Sequence, residues 1–345
     1  MEALVDDVGS FPLPQHADRK VYDEAYRAAR KAIIDGRRPD RDLLLNTFRK
    51  IVMDSFVKKI EAGLDVVNYP QHYDMEKQVA DAVRESMNEG TYLVDQEHAI
   101  LPEACVISDE AKRLYEETSV KVRLRVCVIG PIELYLKEMG SVVHEDVLQA
   151  FAENVKRFAK NSILNSKYIK TVAVSLDEPS FGFQDIITDR ETILSTLETA
   201  FSFDGVARQI HLHSPSGIAD LLNVRNIDVL SIEYAATPKN IDSVSKGMLD
   251  QADKQIRVGV SRTDINSIVA ELYDRGITKP SAEQMVGDES IIEKRFVTAL
   301  NKYGDRMTFT GPDCGLGGWP TQEAAQLLLS RTVKAVKAAR KKLKT

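Results

Sequence analysis

The sequence contains only three cysteines among its 345 residues: Cys105, Cys127 and Cys314. A low and odd number argues against the disulfide framework of small secreted proteins. It predicts a reducing, cytoplasmic location, in which each thiol needs an explanation of its own.

Long apolar runs and an excess of positive charge are also missing. No stretch approaches the roughly 20 apolar residues of a membrane span. The segment 1–14 carries acids and lacks the basic and apolar leader of a signal peptide. Lys plus Arg number 46 against 52 Asp plus Glu, a formal net charge of −6, so no cationic surface for nucleic acid is indicated. We therefore expect neither a membrane nor a nucleic acid as a partner.

What the sequence does contain is a series of short, apolar, β-branched runs separated by amphipathic segments. Eight runs are candidate strands, near Leu4–Val8, Asp65–Asn68, Val122–Val128, Lys170–Leu176, Arg208–His213, Asp228–Glu233, Gln255–Val260 and Met307–Thr310. They are apolar along their whole length, as parallel strands buried on both faces are. Helical patterns separate most of them, so we predict an α/β fold, a single (β/α)8 TIM barrel domain over residues 1–345.

A doubly wound open sheet is the alternative architecture. No GxGxxG or P-loop motif follows any of the runs, which removes the usual nucleotide signature of that fold. The segment from about 71 to 121 is too long for a single connection between a strand and a helix. We predict an excursion from the barrel there, with a hairpin around Gly90–Ile107.

Polar residues cluster where each apolar run ends, and in a barrel these ends meet at the catalytic face. Three ends carry metal-ligating residue types: His211 and His213 at the fifth run, Glu233 at the sixth, and Cys314 after the eighth. Histidine, carboxylate and thiolate are suitable zinc ligands. We expect His211 and His213 to point to opposite faces of the sheet, one into the barrel and the other toward the helices.

Five segments in order resemble the catalytic half of cobalamin-independent methionine synthase. They are Val8-Gly9-Ser10-Phe11-Pro12, Leu176-Asp177-Glu178-Pro179, Gln209-Ile210-His211-Leu212-His213, Val229-Leu230-Ser231-Ile232-Glu233 and Gly311-Pro312-Asp313-Cys314-Gly315-Leu316. The resemblance spans nearly the whole chain. It implies a (β/α)8 barrel, of the type also found in uroporphyrinogen decarboxylase, and methyl transfer to the thiol of homocysteine to give methionine.

The resemblance also implies roles for individual residues. A zinc ion would bind the substrate thiol, with His213, Glu233 and Cys314 as its ligands. The residues implied to hold the amino-acid part of homocysteine are Gly9, Ser10 and Asp177, of which Asp177 is also the candidate catalytic residue. A carboxylate suits the substrate ammonium group, and backbone N–H groups with a hydroxyl suit its carboxylate.

Two positions depart from the family pattern. The family usually has a cysteine two residues after the ligand histidine, where this chain has Pro215, which cannot bind a metal. Either zinc has three protein ligands and an open position for the thiol, or the site is altered. His211 would replace the missing ligand only if its strand were irregular. At the end of the second strand, the full-length enzymes of the family have an acidic residue that binds the amino group of the substrate. In this chain that residue is replaced, or its role is taken by Asp74.

The length of the chain leaves room for one barrel only. It therefore resembles the short, archaeal-type form of the family, whose implied methyl donor is a methylated corrinoid such as methylcobalamin and not a folate. No corrinoid-binding domain is visible in the chain. The donor is thus expected from outside, with a corrinoid protein as the candidate partner.

Three other functions stay open at this point. Methyl transfer to coenzyme M, a sulfonate, would favour Arg or Lys where the chain has Asp177, although Arg262 at the end of the seventh run keeps it open. A metal-free decarboxylase of the uroporphyrinogen type would not need His213 or Cys314. A degenerate barrel that only binds a corrinoid protein would have lost its metal, with Pro215 marking the loss.

Overall fold

The structure, a computed structural model, describes residues 2–37, 43–184 and 186–344. Its strands are β1 (Leu4–Val5), β2 (Val67–Asn68), β3 (Val122–Ile129), β4 (Ile169–Asp177), β5 (Ala207–Leu212), β6 (Val229–Ile232), β7 (Gln255–Ser261) and β8 (Met307–Pro312). Its helices are α1 (Arg19–Ile34), α2 (Leu43–Glu61), α3 (Met75–Asn88), α4 (Pro102–Thr118), α5 (Pro131–Met139), α6 (Glu145–Asn161), α7 (Arg190–Ala200), α8 (Ile218–Leu221), α9 (Lys246–Ala252), α10 (Ile265–Asp274), α11 (Ala282–Met285), α12 (Glu289–Tyr303) and α13 (Gln322–Lys344). Within these ranges, no helix combines the length and the apolar character needed to cross a membrane.

The eight strands form one parallel sheet in the order β1-β8-β7-β6-β5-β4-β3-β2. Its two ends are joined by hydrogen bonds, which close the sheet into a barrel. The backbone N–H groups of Asp65 and Val66 donate to the Val5 carbonyl at 2.9 and 3.1 Å. The N–H of Asn68 donates to Asp7 Oδ1 at 2.7 Å. The predicted (β/α)8 barrel is confirmed, and each of the eight apolar runs overlaps a strand.

The long segment between β2 and β3 is helical. It holds α3 and α4, and a short 3-10 turn at Gln96–His98 lies in the loop between them. The hairpin expected around Gly90–Ile107 is therefore not formed by strands, since the described residues there lie in this loop and in the first turns of α4. The physical reason is a helix start, because Pro102 occupies the first turn, where its missing N–H costs nothing.

Charged side chains cross the interior of the barrel. Arg125 on β3 and Arg257 on β7 are fully buried, and these strands are not neighbours in the sheet. Both reach Asp6 at the end of β1: Arg257 Nε donates to Asp6 Oδ1 at 2.7 Å, and Arg125 Nη1 lies 3.8 Å from Asp6 Oδ2. A carboxylate held between two guanidinium groups therefore links three sides of the barrel.

A buried lysine fixes the chain just after β1. Lys59 of α2 lies with its Nζ 2.5 Å from Asp7 Oδ2, and it donates to the carbonyls of Gly9 at 2.7 Å and Asn68 at 3.0 Å. Gly9 adopts a φ of +147°, and a Cβ there would lie 2.5 Å from Cys127 Sγ. Only glycine fits this contact, so Gly9 shapes the turn that presents the next residue.

We expect Asp6→Asn to destabilise the protein by about 3–5 kcal/mol, because it leaves two buried guanidinium groups without their counter-ion. Urea denaturation followed by circular dichroism measures this change. Asp54→Asn removes an exposed carboxylate that pairs with Lys50 one helical turn away, and its effect should be much smaller. Equal effects of the two substitutions would contradict a structural role for Asp6.

A second prediction concerns Glu103 in the first turn of α4. This carboxyl is fully buried, and burial raises its pKa from 4.5 to about 8, although Gln78 donates to it. The folded state then binds a proton that the unfolded state releases, so Glu103 should make stability fall as the pH rises from 4.5 to 8. Glu103→Gln removes the titratable carboxyl group but keeps the size and shape of the side chain. The difference in unfolding free energy between wild type and Glu103→Gln should change over this window in favour of the variant; parallel pH profiles would refute the prediction.

Candidate metal centre

Four metal-ligating side chains converge at the C-terminal end of the barrel. His211 lies on β5, His213 just beyond it, Glu233 directly after β6, and Cys314 two residues after β8. One donor atom of each lies within 4.8 Å of the donor atoms of the other three. Cys314 Sγ is 3.4 Å from His213 Nε2, which is 3.7 Å from Glu233 Oε1.

The two histidines do not point to opposite faces. That expectation is wrong, because side chains alternate with a period of two residues and residues i and i+2 therefore lie on the same face of a strand. β5 ends at Leu212, and the chain bends at His213. The rings of His211 and His213 accordingly lie next to each other, with the ring centroids 5.5 Å apart. His211 and His213 thus form the pair of ligating residues spaced by two. Pro215 plays no part in it, because it begins a 3-10 turn beyond the site.

Buried hydrogen bonds orient His211. Its Nδ1 lies 3.2 Å from the Ser231 hydroxyl, and the Arg257 Nη1 lies 3.5 Å from the same oxygen. The other ring nitrogen, Nε2, is buried and has no partner among the described residues. Buried polar atoms are nearly always paired, so the unpaired Nε2 is a candidate ligand atom for a metal ion.

Asp313 ties the turn of Cys314 to the loop of Glu233. Its carboxylate accepts the backbone N–H groups of Tyr234, Ala235 and Ala236 at 3.0, 2.9 and 2.6 Å. The N–H of Cys314 donates to the Thr263 hydroxyl at 3.1 Å. These bonds hold ligands from two different strand ends at a fixed separation. They explain why an acid directly precedes the cysteine.

The environment of the cluster disfavours charge on its acidic members. Burial raises the pKa of Cys314 to about 12, with the Glu233 charge adding to the shift. Burial also raises the pKa of Glu233 to about 8, and it lowers the pKa of His213. A thiol and a carboxyl that would both hold protons, next to two neutral imidazoles, form a site in which a cation can replace the protons.

The donor set and its dimensions fit Zn²⁺. Zinc takes histidine nitrogen, carboxylate oxygen and thiolate sulfur at about 2.0–2.3 Å, which places tetrahedral ligands about 3.3–3.8 Å apart. The distances of 3.4 and 3.7 Å around His213 Nε2 fall in this range. One carboxylate and one thiolate would balance the charge of the ion. Three of the four donors are the predicted ligands His213, Glu233 and Cys314, and the fourth, His211, was not expected.

The cluster opens into a cavity of about 330 Å³ over the strand ends. The cavity is lined by Val8, Ser10, Gln71, Asp74, Met75, Glu76, Ile129, Glu133, Lys137, Asp177, Pro179, His211, His213, Cys314 and Gly315. Two larger clefts, of about 730 and 650 Å³, lie against α1, one toward α3 and the other toward α2. We place the functional site in the smaller cavity, because it alone among these three holds members of the donor cluster.

Two of the predicted substrate-binding residues line this cavity. Asp177, at the end of β4, accepts a hydrogen bond from the Ser175 hydroxyl at 2.7 Å, and burial raises its pKa to about 6 against the opposing charge of Arg125. Ser10 packs against the loop after Cys314 and accepts the N–H of Gly317 at 3.1 Å. Gly9 is not among the lining residues. Its place in substrate binding stays a prediction, and its visible role is to shape the backbone before Ser10.

The cavity also contains polar residues that the sequence analysis did not single out as site residues. Gln71 comes from the loop after β2, at the position where an acidic ligand was expected, and its Nε2 donates to the Tyr69 hydroxyl at 3.0 Å. Glu133 in the first turn of α5 and Lys137 in its last turn lie 3.7 Å apart. Both follow an apolar run and a Gly-Pro pair, and no feature of that segment alone marks them. Asp74 caps α3 by accepting the N–H of Lys77, and it also borders the cavity.

Comparison with known proteins supports the fold. No family model and no curated protein matches the sequence. A B12-independent methionine synthase from Shewanella sp. W3-18-1, solved in complex with selenomethionine, is 13% identical with a TM-score of 0.57, and the match covers 99% of each chain. A methyltransferase from Methanosarcina mazei is 14% identical with a TM-score of 0.52, over 96% of this chain and 94% of that one. At such identities the likeness establishes the barrel, while the activities named belong to those proteins.

We expect about one zinc ion per chain, measured by elemental analysis of protein purified without chelators. His211→Ala and Cys314→Ser should each weaken zinc binding at least about tenfold in competition with a chromophoric chelator, because each removes a direct ligand. His144→Ala changes an exposed histidine outside the cluster and serves as the matched control. If His211→Ala bound zinc like the wild type, the site would have three protein ligands, as first expected.

Proposed function

We propose that this barrel is a zinc-dependent methyltransferase that moves a methyl group from a methylated corrinoid to the thiol of homocysteine, giving methionine. The observation that carries the proposal is the convergence of His211, His213, Glu233 and Cys314, three of which line one cavity with Asp177. The four donors suit a thiol-activating metal, and the buried carboxylate suits an ammonium group. Neither feature alone selects this chemistry.

The reaction needs a thiolate, because a thiol of ordinary pKa, about 8.5, is mostly protonated at neutral pH and attacks a methyl group poorly. When bound, zinc supplies a Lewis acid that deprotonates a coordinating thiol. In the transfer the substrate sulfur bonds to the methyl carbon, and the bond from that carbon to cobalt breaks with its electron pair staying on the corrinoid. The thiol proton leaves to solvent. The chain's own residues hold the substrate and shield the reacting sulfur.

The polar residues of the cavity support an amino-acid substrate. Asp177 offers a buried carboxylate to an ammonium group, and Gln71, another lining residue, offers a neutral amide oxygen. Ser10 Oγ already accepts the N–H of Gly317, so its own proton remains free to be donated to a substrate carboxylate. Lys137 adds a positive charge at the same opening, although Glu133 shares it. The substrate would thus be bound through its α-amino and α-carboxyl groups.

The alternative functions fit the cavity less well. Arg262, which kept coenzyme M open as a substrate, is not among the lining residues, and it is paired with Asp264 at 2.6 Å and with Glu271 at 2.7 Å. A metal-free decarboxylase gives no reason for the buried, unpartnered Nε2 of His211. A degenerate barrel was inferred from Pro215, and that inference loses its basis because His213 occupies the second position of the ligand pair.

The methyl donor and its carrier are the parts of the proposal that rest on the sequence resemblance alone. The resemblance favours an external methylated corrinoid, delivered by a corrinoid protein. A free thiol and free methylcobalamin are the simplest substrates with which the proposal can be tested. Cytoplasmic location remains a prediction from the number of cysteines.

We expect the zinc-loaded protein to transfer the methyl group of methylcobalamin to homocysteine faster than to coenzyme M. Asp177→Asn should raise the KM for homocysteine about tenfold or more while zinc content stays constant, because it removes the charge from one ionic hydrogen bond. Methionine formation and the spectrum of the demethylated corrinoid provide the two readouts. Asp242→Asn, which changes an exposed carboxylate that does not line the cavity, is the control. Transfer to coenzyme M alone, or none to either thiol, would overturn the proposal.

A further inference from the structure

A further cavity, of about 490 Å³ and separate from the three described above, lies beside the loop that follows Glu233. It is lined by Tyr234, Ser290, Ile291, Lys294, Arg295 and Thr298. Tyr234 comes directly after Glu233, and the other lining residues lie on the first three turns of α12. The C-terminal ends of parallel strands share one edge of the barrel, so this cavity opens at the same end as the metal centre.

Arg295 is the residue of this cavity that lacks an explanation. It is half-buried, yet its guanidinium makes no hydrogen bond or ion pair with any residue in the described part of the chain. Burial lowers the pKa of Arg295, as expected of a cation that has lost water without gaining a contact. Five N–H donors thus remain available on a side chain that is already partly desolvated.

The acids whose charge acts on Arg295 are already engaged in other hydrogen bonds. Asp313 and Asp264 both act electrostatically on it. Asp313 accepts three backbone N–H groups of the loop that begins at Tyr234, and Asp264 accepts two hydrogen bonds from Arg262 at 3.0 and 2.6 Å. The positive charge of Arg295 therefore remains available to attract an anion, because these two carboxylates are held by other hydrogen bonds.

The remaining lining groups specify which anion fits. Lys294 adds a second cation, and hydroxyl groups come from Tyr234, Ser290 and Thr298, whereas no lining residue carries a carboxylate. Two positive charges and three hydroxyls offer more donors than a carboxylate with two oxygens can use. A phosphate group carries about −1.5 to −2 charge and three strong acceptor oxygens, and arginine binds it through two parallel hydrogen bonds.

We propose that this cavity binds a phosphate group, with Arg295 as the principal contact and Lys294 as the second. The volume exceeds what the phosphate alone occupies, which leaves room for the organic part of a phosphate ester. The site is separate from the metal ligands. It would hold a phosphorylated ligand next to the mouth of the metal centre, and it does not depend on the activity proposed above.

The test is titration calorimetry of the full chain with inorganic phosphate at constant ionic strength. Zinc also attracts phosphate, so the titration is repeated in Cys314→Ser, where binding should persist. Arg295→Met and Lys294→Met should each raise the dissociation constant at least tenfold. Arg275→Met removes an exposed arginine outside the cavity and should change it less than twofold. Arg295→Lys retains the positive charge but lacks the planar guanidinium group. If folded Arg295→Met fails to bind phosphate, Arg295→Lys should bind it with intermediate affinity.

Three results would overturn the proposal: no saturable binding of phosphate, unchanged binding in folded Arg295→Met, or loss of binding in Cys314→Ser. Acetate provides the comparison of chemistry, and it should bind at least tenfold more weakly; equal affinity would reject phosphate as the ligand class. Glycerol 3-phosphate distinguishes the source. Binding at least as tight as that of the inorganic ion supports a phosphate ester, and weaker binding supports the free anion.

Discussion

The buried guanidinium of Arg257 is the group on which the geometry of the barrel end depends. It donates to Asp6 at 2.7 Å and to the Pro312 carbonyl at 2.9 Å, and it lies 3.5 Å from the Ser231 hydroxyl. These contacts reach the ends of β1, β8 and β6 from β7. Ser231 in turn contacts His211, while Pro312 lies two residues before Cys314. One desolvated cation therefore helps to set the position of two metal-ligating side chains.

The arrangement has a physical logic. Desolvating an arginine is costly unless every part of it is paired, so Arg257 is stable only when its partners from several strands are in place. A rigid set of strand ends results, and rigid strand ends are what a metal centre needs to hold soft and hard donors at fixed separations. The carboxylate of Asp313 likewise fixes the loop that follows β6. It binds three successive backbone N–H groups of the neighbouring loop.

The polar groups at this end of the barrel fall into two neighbouring sets. The metal cavity combines ligands with a buried carboxylate, which matches a zwitterionic thiol. The cavity beside α12 combines two cations with hydroxyls, which matches an oxyanion. They are connected through the loop after β6, in which Glu233 belongs to the first and Tyr234 to the second. Under these two proposals, consecutive residues of one loop would serve two different kinds of ligand.

The sequence by itself determined the eight strands, the parallel barrel and the placement of Glu233 and Cys314 at strand ends, because burial on both faces and β-branched runs are local properties. Only the tertiary structure decided that His211 joins the cluster, since this depends on β5, β6 and β8 bringing His211, Glu233 and Cys314 within 4.8 Å of one another at one end of the barrel. It also decided that the segment after β2 is helical and that Arg125 and Arg257 meet at Asp6. Contacts across a barrel join residues far apart in the chain, and the hydrophobic periodicity of the sequence does not predict them.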